Sequence, residues 1–236
     1  MIANPSSHFR RARWCVAGGA LLAGAAMLRY PGGTLADHSS AGYSLSMNYL
    51  SDLGMTVAYN GQSNRLGATL FSVSLFILVA GFGSLVLQLS RLYPEPSKRW
   101  ARAGGIAAVL ACVAFAGVAI TPENHMMRIH VAITAWAWRF AAFCPVLLAI
   151  ASAKTDQFSR HVTIEWVALT GLLFGYAALL TLSHTVFAFN DPVFEVVAQK
   201  VVTATTGALL VVVSLHIEQR ALMDRTPTAT QSPHRG

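Results

Sequence analysis

Apolar residues gather in six long runs along the chain, separated by shorter polar stretches. The runs are Trp14–Leu28, Leu66–Leu89, Ala103–Ile120, His130–Ser152, Ile164–Phe189 and Val193–His216. A helix that rises about 1.5 Å per residue needs roughly 17–25 mostly apolar residues to cross the hydrocarbon core of a bilayer. The pattern therefore predicts six transmembrane helices. The first is short, and it ends at Arg29, whose long side chain can reach the membrane interface.

The composition agrees with a bilayer as the solvent. Hydrophobic residues make up 54% of the 236 residues and charged residues only 11%, whereas soluble domains carry about a quarter charged residues. The sequence predicts an all-α fold, a polytopic bundle of six transmembrane helices whose main partner is the lipid bilayer. Its expected parts are an N-terminal tail at 1–13, a membrane domain at 14–217 and a disordered tail at 218–236.

The first run has a second interpretation, because Arg10, Arg11 and Arg13 before an apolar segment also resemble a signal peptide. Such a peptide ends at a small-x-small cleavage site. Met27-Leu28-Arg29-Tyr30 stands there instead, which favours a retained helix. Its many small residues, such as Gly18 and Gly19, predict close packing against a neighbouring helix.

The basic residues predict the orientation. The tails and alternate loops that begin at Arg91 and Lys154 hold 12 Lys and Arg, and the other loops hold only Arg29, Arg65 and Arg128. Under the positive-inside rule both termini are then cytoplasmic, as in a multi-pass protein of a bacterial inner membrane. A nucleic-acid partner is not expected, because the positive charges are spread over four membrane-edge segments rather than gathered in one patch.

The longest loop, residues 30–64, contains the polar motif Asn48-Tyr49-Leu50-Ser51-Asp52-Leu53-Gly54. Its aromatic and leucine content predicts a segment folded against the membrane surface rather than disorder. Ser51 or Asp52 is expected either to cap a short helix or to serve as a ligand, base or counter-ion. The two roles can coexist.

Other ionisable groups fall near the same predicted outer face, where charges at membrane depth are costly and therefore functional candidates. On the last helix Glu195 and Gln199 are four residues apart and share a face, which Thr203 and Thr206 continue. The candidate ligand-binding set is Asn48, Ser51, Asp52, Glu123, His130, His184, Glu195 and Gln199.

No metal site or cofactor is predicted. His125 and His130 are five residues apart, about 140° around a helix, so they do not point at one ion. Cys15, Cys112 and Cys144 lack metal-ligand spacing and are expected to be buried and inert. Arg139 lies deep in the fourth run and is expected to need a carboxylate or water as partner.

The loop motif resembles that of the "domain of unknown function 998" membrane family, and more distantly that of the eukaryotic Frag1/DRAM/Sfk1 membrane proteins. Thr121-Pro122-Glu123-Asn124 before His130, and Asp191-Pro192-Val193-Phe194-Glu195, are similar to further segments of the first family. The resemblance implies six helices and an outer polar cluster, but no established activity. Asn60-Gly61-Gln62-Ser63-Asn64 departs from the Pro-Glu that follows the loop in the second group.

Three functions fit these patterns. The favoured one is a non-enzymatic protein that binds or moves a small or lipidic ligand in an outward-facing polar pocket, since no motif of a soluble enzyme is present. The second is a structural or assembly subunit. The third is a metal-dependent intramembrane hydrolase built on Asp52, His130, His184 and Glu195. The sequence leaves the oligomeric state open.

The predicted orientation can be tested with a reporter fused after Arg220. We expect a reporter that works only in the cytoplasm to be active there and a periplasm-only reporter to be silent. The reverse pattern would show that the termini face outward.

Overall fold

The computed structural model describes residues 5–185 and 193–223, which form six α-helices and one short 3-10 helix. The α-helices are α1 (Pro5–Arg29), α2 (Arg65–Arg91), α3 (Lys98–Ala119), α4 (Glu123–Ala153), α5 (Arg160–Thr185) and α6 (Val193–Met223). The short helix, Leu50–Gly54, lies in the loop between α1 and α2. Within these described ranges there is no β-strand, only two isolated bridges. The predicted all-α class is confirmed.

Five of the described helices, α2 to α6, are long and apolar enough to cross a membrane. The 27 residues of α2, for example, extend about 40 Å. The chain is therefore a multi-pass membrane protein. That α1 also crosses the membrane remains a prediction, because its apolar part is rich in Gly and Ala and so is less hydrophobic than the other helices.

Two helices extend further than the apolar runs indicated. The first begins at Pro5 rather than Trp14, and Phe9 and Ala12 are buried in the core, so most of the predicted N-terminal tail is helical. The last helix continues past residue 217, and Glu218 forms an ion pair with Arg13 at 2.8 Å. Polar helix ends were not recognised because hydropathy reports only the membrane-embedded part. Residues 224–236 lie outside the described ranges.

Close contact between α1 and α2 fixes one side of the bundle. The Ser74 hydroxyl donates a hydrogen bond to the Gly19 carbonyl at 2.9 Å, and a Cβ at Gly19 would lie 2.6 Å from Leu78 Cγ. Small residues allow this approach of two backbones. The predicted close packing of the first helix is confirmed at this position, whereas a Cβ at Gly18 would meet no atom within 4 Å.

Loop 30–64 folds over one end of the helices. Tyr30, Leu53 and Ala58 are buried against Phe71 of α2 and Ala26 of α1. The short helix Leu50–Gly54 and several hydrogen-bonded turns connect these buried apolar residues. The loop is thus a folded cap, as its aromatic and leucine content predicted. We call this the loop end of the bundle; it also holds the α3–α4 turn and the beginning of α6.

The cysteines are free, and they do not share one environment. Cys144 is buried and Cys112 partly buried, whereas Cys15 is exposed on α1. The prediction of burial is wrong for Cys15. Its helix lies at the edge of the bundle and packs mainly on α2, so the rest of its surface is uncovered.

The α1–α2 contact predicts different outcomes at two adjacent glycines. We expect Gly19→Ala to lower the free energy of unfolding by about 1–3 kcal/mol, the usual effect of overpacking, because Leu78 and the Ser74 carbonyl must move. Gly18→Ala should leave stability unchanged or raise it, since Ala favours helix and meets open space. Thermal unfolding in detergent measures both. Equal effects would contradict the described contact.

Candidate functional site at the loop end

Asp52 organises the polar loop. Its Oδ2 accepts hydrogen bonds from the Tyr49 backbone N–H at 3.0 Å and the Asn48 side-chain amide at 2.9 Å. Asn48 also donates to the Gly33 carbonyl at 3.1 Å and accepts from the Ser44 backbone at 2.9 Å. The predicted cap of a short helix is therefore confirmed for Asp52. These bonds also tie the two halves of the loop together.

The other carboxylate oxygen is different. Asp52 is only 1% exposed, and its Oδ1 has no hydrogen-bond partner in the described part of the protein. Buried polar atoms in folded proteins are nearly always paired. The cap therefore uses one half of this carboxylate and leaves the other half available.

The first turns of α6 join the loop from the side. Gln199 accepts a hydrogen bond from the Leu50 backbone N–H at 2.8 Å, and Glu195 accepts one from the Tyr49 hydroxyl. The Lys200 ammonium donates to the Asn48 carbonyl and lies 5.4 Å from the centre of the Tyr43 ring. Three polar side chains from the first two turns of α6 thus hold the short helix and the residues before it in place.

The α3–α4 turn contacts the opposite side of the loop. Asn124 accepts a hydrogen bond from the Thr56 backbone at 3.2 Å and donates to its hydroxyl at 3.1 Å, and His125 Nε2 is 2.9 Å from the same hydroxyl. A break in the helix at Met126, with φ −132° and ψ 36°, separates this first turn from the long part of α4. The break lets His125 point toward the loop while His130 points inward.

His130 lies under this turn with one ring nitrogen used and one unused. Its Nδ1 is 2.6 Å from the Thr121 carbonyl oxygen. A carbonyl can only accept, so Nδ1 carries the hydrogen and donates it. Nε2 is buried, has no hydrogen-bond partner among the described residues, and lies 3.9 Å from Glu123 Oε2.

The electrostatics couple these groups. The pKa of Asp52 is raised to about 7, chiefly by burial and further by the negative charge of Glu123. The Asn48 and Tyr49 hydrogen bonds and the charge of Lys200 oppose this rise. Glu123 is therefore close to both Asp52 and His130. Near neutral pH the protonated and the ionised forms of Asp52 are therefore both populated.

Tyrosines surround the acidic groups. Burial raises the pKa of Tyr30 to about 12, and the negative charge of Asp52 adds to the shift. Burial also raises the pKa of Tyr43 and Tyr49 above their usual value. Asp52 adds to the shift of Tyr43, and Glu195 adds to that of Tyr49. Their hydroxyls therefore remain protonated donors. The Tyr43 hydroxyl donates to the loop carbonyls of Asn48 and Tyr49 at 3.0 and 3.1 Å.

The structure brings most of the predicted set to one end of the bundle. Asp52 connects to Glu195 through Tyr49 and to His130 through Glu123. Ser51 is half-buried on the short helix. His184 belongs to the α5 backbone, but its side chain, like residues 186–192, lies outside the described region.

Sequence reasoning missed two contributors and misjudged a third residue. Lys200 and Tyr43 are part of the loop's hydrogen-bonding network; the signal was a lysine beside Gln199 in an otherwise apolar helix. Arg139 was expected to pair with a carboxylate or water. It is exposed instead, and its guanidinium lies 5.2 Å from the centre of the Trp136 ring.

Among the side chains that the structure describes, no three His, Cys, Asp or Glu residues are placed to hold a metal ion. His125 and His130 diverge, as their spacing predicted. What the cluster offers instead is a buried carboxylate oxygen, a buried imidazole nitrogen and several hydroxyl donors. These are groups for hydrogen bonding and proton exchange.

No family model, curated protein or solved structure matches the chain. The resemblance of the loop motif to a membrane family therefore stays a prediction.

The raised pKa of Asp52 predicts a pH-dependent stability. In the unfolded chain the pKa of an aspartate is about 3.9, and in the folded protein it is about 7. Between these values the folded state holds a proton that the unfolded state has released, so stability falls as pH rises toward 7. We expect Asp52→Asn to flatten the change in unfolding temperature between pH 5 and pH 8.

Asp37→Asn is the matched control for this measurement. Asp37 lies in the same loop, is exposed, and has a lowered pKa because Ser39 donates hydrogen bonds to it. Its removal should leave the slope between pH 5 and pH 8 as in the unmodified protein. If Asp52→Asn also kept that slope, the raised pKa would be wrong.

Proposed function

We propose that this multi-pass membrane protein binds a small or lipidic ligand at the loop end, through a ligand group that donates hydrogen bonds to Asp52. One observation carries the proposal: Asp52 Oδ1 is buried without a partner while Oδ2 accepts two hydrogen bonds. Leaving a buried acceptor unpaired costs about 1–3 kcal/mol, and more when it is charged. A bound donor would remove that cost.

The charges around this oxygen favour a cationic donor. Asp52, Glu123 and Glu195 surround Tyr49 and act together on it. Lys200 already donates to two backbone carbonyls, and His130 lies beside Glu123. An ammonium group matches both the excess of acceptors and the negative charge. Small amines and the amine headgroups of lipids share this chemistry.

The membrane setting adds to the proposal. The loop end lies where the spanning helices end, so a ligand could arrive from the aqueous side or from the lipid headgroups. With the termini in the cytoplasm of a bacterial cell, as the basic residues predict, the loop end faces outward. Membership of the family that the loop motif resembles would fit such a protein. The outward orientation of the loop end and the membership of that family are both part of the proposal.

A structural or assembly role is the second candidate, and one observation favours it. Asn48 uses its side chain fully within the loop, donating to Gly33 and Asp52 and accepting from Ser44. Gln199 likewise connects α6 to the short helix. These residues, which were also in the predicted ligand-binding set, hold the fold. Asp52 Oδ1 is the atom that a purely structural role leaves unexplained.

The ligand class can be tested by thermal unfolding at pH 8, where Asp52 is ionised. Ethanolamine and putrescine serve as ammonium probes, and nanodiscs of phosphatidylethanolamine against phosphatidylglycerol serve as lipid probes. We expect stabilisation by an ammonium probe, about 2.7 kcal/mol at a concentration of 100 times its dissociation constant. Asp52→Asn should abolish this effect.

Two controls sharpen the result. Ethylene glycol has no charge and should not stabilise, and Asp37→Asn should respond like the unmodified protein because Asp37 is exposed outside the cluster. If no ammonium probe stabilised the protein, or if Asp52→Asn kept the response, the proposed ligand would be wrong and the structural role would be favoured.

A further inference from the structure

Three basic side chains lie on one face of α3 at its beginning. Lys98, Arg99 and Arg102 fall within about 100° of the helix circumference. The α3–α4 turn belongs to the loop end, so the first turns of α3 lie at the opposite end of the bundle. Arg99 and Arg102 are exposed, and Lys98 is partly exposed. We call these three residues the basic face of α3.

The basic face continues along α3 as an exposed apolar stripe. Ile106, Val109 and Val113 are 62%, 40% and 65% exposed, and they lie within the same sector of about 100°. Because α3 is long and apolar enough to cross a membrane, this stripe faces lipid chains. Val113 is about 16 Å along the helix from Arg102, close to half of the roughly 30 Å hydrocarbon core. The charges therefore lie at headgroup depth and the stripe at the depth of the acyl chains of one leaflet.

The positive charge of the basic face is only weakly neutralised. Glu95 lies 3.9 Å from Lys98, but the two side chains are 71% and 39% exposed, and exposed pairs of this kind contribute little. In the described part of the chain no carboxylate lies within ion-pair distance of Arg99 or Arg102. Positive charge is therefore available to an anionic group from outside the protein.

Neighbouring residues fix the position of these charges. The Arg99 guanidinium carbon lies 5.5 Å from the centre of the Trp100 ring, and Trp100 packs against the core. The end of α2 is close, because a Cβ at Gly105 would lie 3.1 Å from Ser90 Oγ. Arg91 follows as an exposed residue. A fourth positive charge thus ends α2 beside the first turns of α3.

The positive-inside rule alone does not account for this arrangement, because it concerns how many basic residues a loop holds and not which face they share. α5 gives an internal comparison. Its first residue, Arg160, lies at the same end of the bundle and is exposed, and Ile164 follows it at 54% exposure. This pair repeats the spacing of Arg102 and Ile106, but α5 has no second Lys or Arg.

We propose that the basic face of α3 binds an anionic phospholipid, with the lipid phosphate on Arg99 and Arg102 and an acyl chain along Ile106 and Val113. Arginine suits this role because its planar guanidinium donates two parallel hydrogen bonds to a phosphate. Phosphate occurs in the headgroups of both leaflets, so the proposal holds for either orientation of the chain. It does not depend on the ammonium ligand proposed at Asp52, which lies at the other end of the bundle.

Native mass spectrometry of the detergent-solubilised protein measures the dissociation constant of the bound lipid. Phosphatidylglycerol is the anionic probe. Phosphatidylcholine is the control, because its quaternary ammonium neutralises the headgroup and has no N–H to donate to Asp52. Each Lys or Arg near an anionic lipid surface strengthens binding about fivefold. We expect Arg99→Gln or Arg102→Gln to weaken phosphatidylglycerol binding by about that factor, and the double variant to weaken it more than tenfold.

Arg160→Gln is the matched control, since it removes one exposed charge at the same end of the bundle. It should change the dissociation constant less than twofold, and Asp52→Asn should leave it unchanged. Equal losses for Arg102→Gln and Arg160→Gln would overturn the proposal, because they would show a charge attraction spread over the whole membrane edge. Equal binding of the two lipids by the unmodified protein would also overturn it.

The acyl chain distinguishes a lipid from a free phosphate. Glycerol 3-phosphate carries the phosphate without the chains, so it should not displace phosphatidylglycerol at equal concentration. Ile106→Ala should weaken phosphatidylglycerol binding, whereas Ile164→Ala, at the corresponding position of α5, should not. Displacement by glycerol 3-phosphate would show that the lipid is the wrong occupant. An effect of Ile106→Ala no larger than that of Ile164→Ala would contradict the proposed position of the acyl chain.

Discussion

The loop end depends on the burial of one carboxylate. Asp52 holds the short helix through Tyr49 and fixes Asn48, and Asn48 in turn connects to Gly33 and Ser44. Ordering a loop of this length costs roughly 1–2 kcal/mol of backbone entropy per residue, and few apolar anchors are available to offset it. A carboxylate that accepts from two directions joins segments that hydrophobic contact alone would leave mobile. The remaining polar contacts are arranged around it.

The bilayer explains why the polar groups gather at this end. Five spanning helices bury apolar residues along their length, so hydrogen-bonding side chains are stable chiefly where the helices end. Gln199 and Lys200 occupy the first turns of α6 and reach the loop backbone. Asn124 does the same from the beginning of α4. Each of these helices thus contributes a rigid frame and one or two polar contacts to the loop.

Sequence patterns predicted what the bilayer and local geometry dictate. The spanning segments from Leu66 onward followed from apolar runs, and the cap at Asp52 followed from its place in a short polar motif. The contact between His130 and Thr121 and the position of Lys200 were not predictable in this way, because they depend on how helices meet in space. The early start of α1 was missed because helix continues beyond the apolar residues that hydropathy detects.

The two oxygens of Asp52 reconcile the structural and the binding interpretations. Oδ2 belongs to the fold, since it accepts the Tyr49 and Asn48 hydrogen bonds that order the loop. Oδ1 is the position where either a proton or a donor from a ligand would reside. Each disfavours the other, because a protonated carboxyl is neutral and its O–H oxygen is a much weaker acceptor for an ammonium hydrogen. On the proposed function, proton and cationic ligand would therefore compete, and by linkage each would weaken the binding of the other by the same factor. Such a site would exchange a ligand for a proton at Oδ1 while the hydrogen bonds to Oδ2 hold the loop.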